Sequence, residues 1–237
     1  MPSGVVELKL SAIAAVFFDF GETLATLSPS REEIFTEVAS SMGLGLDIES
    51  VRRAYHIVDF HHKYSSVHVN DHDAFYRHYN EQLCEALGIS SHAAQLAPAL
   101  ATRFRQDKNW KLFEDVPTAL DRLSALGISM ALVANWDSKL SSLVERLGIR
   151  KFFSTIVASQ EAGVEKPNPA IFRLALERLS LSVSTQTILY VGNEYRADVL
   201  GARTAGLTPV LIDRSSSYPN ADCLRFSSLL KWLETIV

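Results

Sequence analysis

Five apolar runs in this chain end on side chains that could do chemistry. Ala12–Phe18 is followed by Asp19-Phe20-Gly21-Glu22-Thr23-Leu24, and Ile128–Ala134 by Asn135-Trp136-Asp137. Ser154–Ala158 leads through Gln160 and Glu161 to Lys166-Pro167-Asn168-Pro169. Thr187–Val191 runs into Gly192-Asn193-Glu194, with Asp198 shortly after, and Pro209–Ile212 ends on Asp213. Carboxylates can attack, exchange protons or ligate cations. A lysine supplies a fixed positive charge, and carboxamides supply neutral hydrogen bonds. Any one of these residues could be no more than the polar end of a buried strand. That reading suffices for Gln160, Glu161 and Asp213 but not for the whole set, because Asp19 and Lys166 are costly to bury without use.

The runs are apolar throughout rather than alternating, as expected of parallel strands covered on both faces. Between and after them lie helical patterns at Pro117–Leu126, Lys139–Leu147, Pro169–Leu179, Asp198–Ala205 and Phe226–Ile236. Strand–helix alternation with short links predicts a doubly wound α/β domain. In such a sheet ligands bind at the carboxyl ends of the strands, near the point where strand order reverses, so all the residues above converge on one edge. Residues 28–108 read differently. They offer no strand but four helical patterns, Ser30–Met42, Ile48–Tyr64, Asp71–Leu87 and Pro98–Gln106, the first opened by a Ser30/Glu33 capping box. The expected organisation is therefore a core of residues 1–27 and 109–237 interrupted by a helical insert of residues 28–108. Three helices are expected to close on the same Leu-Gly-Ile pattern, at Gly88, Gly127 and Gly148.

With 237 residues, 47% of them hydrophobic, the chain can bury a core without metal or disulfide staples. A net charge of −4 argues against a nucleic-acid groove or a polybasic membrane patch. No apolar run is long enough to span a bilayer, and the amino-terminal stretch lacks a secretory pattern. Cys84 and Cys223 are far apart and read as reduced thiols of a cytoplasmic protein. All seven histidines, His56, His61, His62, His68, His72, His78 and His92, fall in the insert. None has metal-ligand spacing, and they read as ordinary surface or packing residues.

Four motifs, taken in order, resemble those of the haloacid dehalogenase-like hydrolase superfamily, most of whose members are phosphatases. Phe17-Phe18-Asp19-Phe20-Gly21-Glu22-Thr23-Leu24 resembles the first, an apolar strand ending in D-x-D-x-T. Leu132-Val133-Ala134-Asn135 resembles the second, normally Ser/Thr-Asn. Gly163-Val164-Glu165-Lys166-Pro167-Asn168-Pro169 resembles the third, K-P-x-P. Val191-Gly192-Asn193-Glu194-Tyr195-Arg196-Ala197-Asp198 resembles the fourth, G-D-x-x-x-x-D. The resemblance covers the whole core and the position of the insert, which looks like the family's helical cap. It implies an aspartyl intermediate on Asp19 as nucleophile, with Lys166 anchoring both the nucleophile and an incoming anion. It also implies substrate or phosphate contacts from Asn135 and Thr23, and Trp136, directly after Asn135 in the site loop, is a candidate to stack on a substrate ring. A Mg²⁺ ion would be held by Asp19, the Gly21 carbonyl, Asn193, Asp198 and Glu194.

Three positions depart from the family pattern. Gly21 replaces the second aspartate, a general acid and base. Ala134 replaces the hydroxyl of the second motif. Asn193 replaces the first acid of the fourth, leaving a neutral ligand where Mg²⁺ prefers charge. The expected function is hydrolysis of a small phosphorylated metabolite, an anionic substrate. The alternatives are a non-catalytic binding module of the same fold and a metal-independent 2-haloacid dehalogenase, for which Arg31 is the candidate halide ligand.

Overall fold

The computed structural model describes residues 12–63, 72–104 and 110–236. Eight strands occur among them: β1 (Ile13–Phe18), β2 (Ala25–Leu27), β3 (Trp110–Leu112), β4 (Ser129–Ala134), β5 (Thr155–Ala158), β6 (Thr187–Gly192), β7 (Thr208–Ile212) and β8 (Leu224–Phe226). Six form one sheet in the order β5-β4-β1-β6-β7-β8, and every pairing is parallel. The chain leaves β1 for β4 and β5 on one side, then crosses to β6, β7 and β8 on the other. Strand order thus reverses at β1, whose carboxyl end carries Asp19.

These segments are strands because Phe17, Phe18, Leu132, Val133, Leu189 and Val191 are all buried, which only a sheet covered on both faces permits. On one face Phe17, Ala131, Val133 and Tyr190 pack against Ile171 and Phe172 of the helix Pro169–Arg178. Asn168 caps that helix by accepting from the Ala170 amide at 3.0 Å.

The chain divides into two compact units, one running to Thr26 and resuming at Lys111, the other spanning Leu27–Trp110. The second unit has its own core, in which Ile34, Phe35, Val51, Leu83, Leu96 and Leu100 are buried. Its helices are Arg31–Ser41, Ile48–Lys63, His72–Ala86 and Ala93–Phe104. Ser30 Oγ accepts from Glu33 N at 3.2 Å while Glu33 accepts from Ser30 N at 2.7 Å, so the capping box forms. The three Leu-Gly-Ile closures also form. Gly88, Gly127 and Gly148 have φ near +71 to +73°, and each following Ile N–H returns to a carbonyl five residues back.

Several elements differ from expectation. Pro98 does not open a helix but lies inside Ala93–Phe104, where buried Leu96, Ala97 and Leu100 carry the helix through it. The end of that pattern, Arg105 and Gln106, lies outside the described residues, as do Tyr64, Asp71 and His68. The segment expected to become helical at Asp198 begins earlier, at Tyr195, as a π-helical turn running to Leu200. The terminal Phe226–Ile236 pattern splits into β8 and a short helix, Leu229–Leu233. Among the described residues no helix is long and apolar enough to cross a membrane.

Candidate active site

The Asp19 amide bonds the Val191 carbonyl at 2.9 Å, continuing the β1–β6 ladder to the last residue before the chain turns away. The turn is tight: the Leu24 and Ala25 amides both return to the Phe20 carbonyl, and Glu22 sits at φ +56°. Thr23 is thereby folded back under Asp19, where its hydroxyl donates to Asp19 Oδ2 at 3.1 Å. Thr23 is fully buried, so it orients the carboxylate rather than reaching a substrate as expected.

Lys166 lies between β5 and the helix Pro169–Arg178, and its side chain is 3% exposed. Its three N–H groups have three partners: Asp19 Oδ1 at 2.6 Å, Asp198 Oδ1 at 2.6 Å and the Tyr190 hydroxyl at 2.8 Å. Tyr190 passes its own proton to the Val133 carbonyl at 2.8 Å. Burial opposes the charge on Lys166, but Asp19 and Asp198 outweigh it and hold the ammonium above its ordinary pKa. Burial pushes the Asp198 carboxyl up to about 6, against the pull of Lys166 and with Asp19 adding to the rise. The Tyr190 phenol is raised by burial and then by Asp198. Tyr190 was not identified from sequence, since an aromatic inside an apolar strand reads as core. Its position two residues before Gly192, level with Lys166, was the available signal.

Asn135, expected to bind a phosphoryl oxygen, turns its carboxamide to the backbone of Lys166. It accepts from Lys166 N at 2.7 Å and donates to Lys166 O at 3.0 Å. A carboxamide matches a peptide unit in both donor and acceptor, so this pair fixes the start of the K-P-x-P loop. Trp136 stands edge-on to Phe20 with ring centroids 5.0 Å apart, which is a packing contact. Glu194 does not join the cluster. Its carboxylate accepts from Ala197 N at 2.7 Å and from the Tyr218 hydroxyl at 3.0 Å, capping the turn that carries Asp198. Asp198 Oδ2 accepts from the Glu194 amide at 2.8 Å.

Gly192 permits this arrangement. A Cβ there would lie 2.3 Å from Asp198 Oδ2, so Gly192→Ala is expected to displace Asp198. Overpacking of this kind costs about 1–3 kcal/mol, and urea unfolding should register that loss together with reduced turnover. An unchanged midpoint would mean that Asp198 has room to move.

The Asn193 carboxamide is assigned from its hydrogen-bond network. With its oxygen inward it can accept from Thr23 Oγ1 at 3.2 Å but faces the Asp19 carboxylate and the Gly21 carbonyl with no proton between them. With its nitrogen inward it donates to Gly21 O at 3.0 Å, Asp19 Oδ2 at 3.2 Å and Thr23 Oγ1 at 3.2 Å. The second orientation is the satisfied one. Mg²⁺ takes oxygen ligands and favours carboxylates. Here Asp19 is held at Oδ1 by Lys166 and at Oδ2 by Thr23, Asp198 is committed to Lys166 and the Glu194 amide, and Glu194 is turned away. In that second orientation the Asn193 N–H groups point into the space a cation would need. The donor set does not fit a resident divalent cation. Among the described residues no three His, Cys, Asp or Glu side chains gather as a metal-binding group.

Elsewhere, Arg31 is paired with Asp59 at 2.8 Å and Glu32 at 3.1 Å and lies over the Tyr55 ring. Its charge is thus compensated within the helical unit. His56 and His78 are exposed and His92 is half-buried. The side chains of His61, His62, His68 and His72 lie outside the described residues.

Comparison with known proteins bears on this geometry. The model of the haloacid dehalogenase-like hydrolases matches residues 13–206. A glyceraldehyde 3-phosphate phosphatase of Methanopyrus kandleri is 31% identical over 85% of this chain and 84% of its own length. A haloacid dehalogenase-like hydrolase domain-containing protein 3 of Danio rerio is 37% identical over 51% of this chain, a match spanning about half, 49%, of that relative. Among solved structures, the HAD-hydrolase YfnB of Bacillus subtilis, described as bound to magnesium, superposes with a TM-score of 0.75. It is 15% identical, over 94% of this chain and 98% of that one, and so speaks for the fold alone. The buried Asp19–Lys166–Asp198 cluster at the strand-order reversal and the match across most of the sequence lead to one conclusion: the chain belongs to the haloacid dehalogenase-like hydrolases.

Proposed function

We propose that this chain is a phosphatase acting on a small phosphorylated metabolite through an aspartyl-phosphate on Asp19. The carrying observation is the Asp19 carboxylate, gripped at Oδ1 by Lys166 and at Oδ2 by Thr23, at the carboxyl end of the central strand. The near full-length similarity to a glyceraldehyde 3-phosphate phosphatase supports the substrate class. Asp19 Oδ attacks phosphorus while the bond from phosphorus to the leaving oxygen breaks, the leaving oxygen takes its proton from solvent, and water then opens the acyl phosphate to give phosphate and free Asp19. Lys166 is placed to offset negative charge as it develops. Tyr190 and Asn135 act as positioning residues, one holding the ammonium and the other the backbone of Lys166. No step is routed through Mg²⁺, because the donor set does not suit it. Residues 28–108 are taken as the substrate-selecting cap. The setting is taken as cytoplasmic, in keeping with free Cys84 and Cys223.

Phosphate release from a panel of sugar, acyl and amino-acid phosphates, with and without Mg²⁺, tests the reading. Mass spectrometry of acid-quenched protein should find the phosphoryl increment on the Asp19 peptide. Absence of release from every substrate, together with no increment, would leave the fold as a binding module.

Gly21 supplies a second test, since it stands where the family carries an acid and lies outside the left-handed region. General acid–base catalysis contributes roughly 10²–10⁴-fold. Gly21→Asp is therefore expected to raise turnover on alkyl phosphates, and to help acyl phosphates less because their leaving groups need little protonation. Gly21→Ala controls for the added Cβ. If Ala is tolerated and Asp gives no rise, protonation of the leaving group does not limit this site.

A further inference from the structure

We infer that the Asn193 side-chain amide takes over the positional work of a divalent cation, so that the nucleophile is assembled without metal. The inference goes beyond the phosphatase reading and rests on it only for the activity arm of the test. Its basis is the network around Asn193 Nδ2. The two amide protons serve three oxygens, Gly21 O at 3.0 Å, Asp19 Oδ2 at 3.2 Å and Thr23 Oγ1 at 3.2 Å. Thr23 in turn gives its single proton to Asp19 Oδ2 at 3.1 Å. Donors and acceptors therefore run in one consistent direction, from Asn193 through Thr23 to the carboxylate. A cation ligated by Asp19 Oδ2 and the Gly21 carbonyl would draw together the same two oxygens that the amide now joins.

The charge balance points the same way. Asp19 and Asp198 carry two negative charges, Lys166 returns one positive charge, and all three are buried. Adding a dication would turn this net charge of −1 into +1 without supplying a new anionic ligand. The amide satisfies the carboxylate and the carbonyl and adds no charge. Asn193 is thus a positioning residue: it holds Asp19 through Oδ2 while Lys166 holds it through Oδ1.

The test compares wild type with Asn193→Ala and Asn193→Asp, each with EDTA and with Mg²⁺. Wild type should turn over equally in both, with no Mg²⁺-dependent change in Tm. Asn193→Ala should fold and lose roughly 10²-fold in turnover, as misplacement of a reacting group typically does, with no recovery in Mg²⁺. Asn193→Asp sets a second carboxylate against Asp19, so it should be as poor in EDTA and recover in Mg²⁺. At a hundredfold excess over Kd, Mg²⁺ should also raise the Tm of that variant by about 5–10 °C. A role in folding alone would not create a metal response. The inference is overturned if wild type gains Tm in Mg²⁺ or dies in EDTA, if Asn193→Ala keeps full metal-free turnover, or if Asn193→Asp shows no Mg²⁺-dependent Tm rise. If wild type hydrolyses no phosphate ester under either condition, the phosphatase reading fails. The two Tm comparisons, of wild type and of Asn193→Asp, still decide the inference, because they need no substrate.

Discussion

Asp19→Asn is expected to abolish hydrolysis while leaving the fold intact. The substitution is nearly isosteric, and Asn Oδ1 can still accept from Lys166, which keeps Asp198 as its counter-charge at 2.6 Å. What disappears is the ionised oxygen that must bond phosphorus, and a neutral carboxamide is a far poorer nucleophile. Removing one member of a covalent catalytic unit lowers turnover by roughly 10⁴–10⁶-fold, and a loss of that order is expected here. The phosphoryl increment on the Asp19 peptide should vanish with it. Fluorescence-monitored unfolding should find the variant folded, because Tyr190 and Asn135 keep their partners and only the Thr23 hydroxyl must turn, since the Nδ2 that replaces Oδ2 donates where Oδ2 accepted. Wild-type turnover by a folded Asp19→Asn protein would remove the covalent mechanism, whatever the substrate.

The residues in this prediction were legible because of where they sit. Asp19, Lys166 and Asp198 are charged groups at or just beyond the ends of wholly apolar strands, and a sheet with both faces covered leaves them only its carboxyl edge. The five expected strands of the main sheet were readable for the same reason, each lying within one residue of its observed start and end. Three-residue strands such as β2 and β8 carry too short a pattern to separate from loop or helix. The helix through Pro98 is set by burial of Leu96 and Leu100, which local propensity does not encode. The identity of the site residues was readable, but their direction was not. Asn135 and Thr23 look like substrate ligands in sequence because both follow the strand ends, yet each turns inward to hold Lys166 or Asp19. Glu194 looks like a replacement acid, but its spacing of three to Ala197 is also that of an amino-terminal helix cap, and the cap prevails. Direction depends on which backbone groups lack partners, and that is known only once the chain has turned.

Lys166→Met should damage stability as well as activity, and its effect should depend on pH with a definite sign. The ammonium is the cation between two buried carboxylates, each 2.6 Å from Nζ. Removing one partner of a buried ion pair typically costs about 3–5 kcal/mol, because the remaining charge is left uncompensated. Here two charges are left facing one another, and the Tyr190 hydroxyl loses its donor. Burial and Asp19 already push Asp198 up to about 6 against the pull of Lys166, and without that pull the carboxyl must rise further. A carboxyl whose folded pKa exceeds its unfolded value favours the folded state below the unfolded pKa, and that advantage is lost as pH rises through the folded one. In wild type the loss spans the ordinary carboxyl range up to about 6. In the variant it must continue above 6, since Lys166 no longer lowers the Asp198 carboxyl. The stability gap between the two proteins should therefore be smallest near about pH 4 and widen towards about pH 8, as urea midpoints at each pH would show. Vanadate affinity should fall at every pH, because the positive charge that offsets Asp19 is gone. A gap that stays constant across this range would mean that Asp19 and Asp198 are solvated or paired elsewhere, and Lys166 would then not be the charge that organises the site.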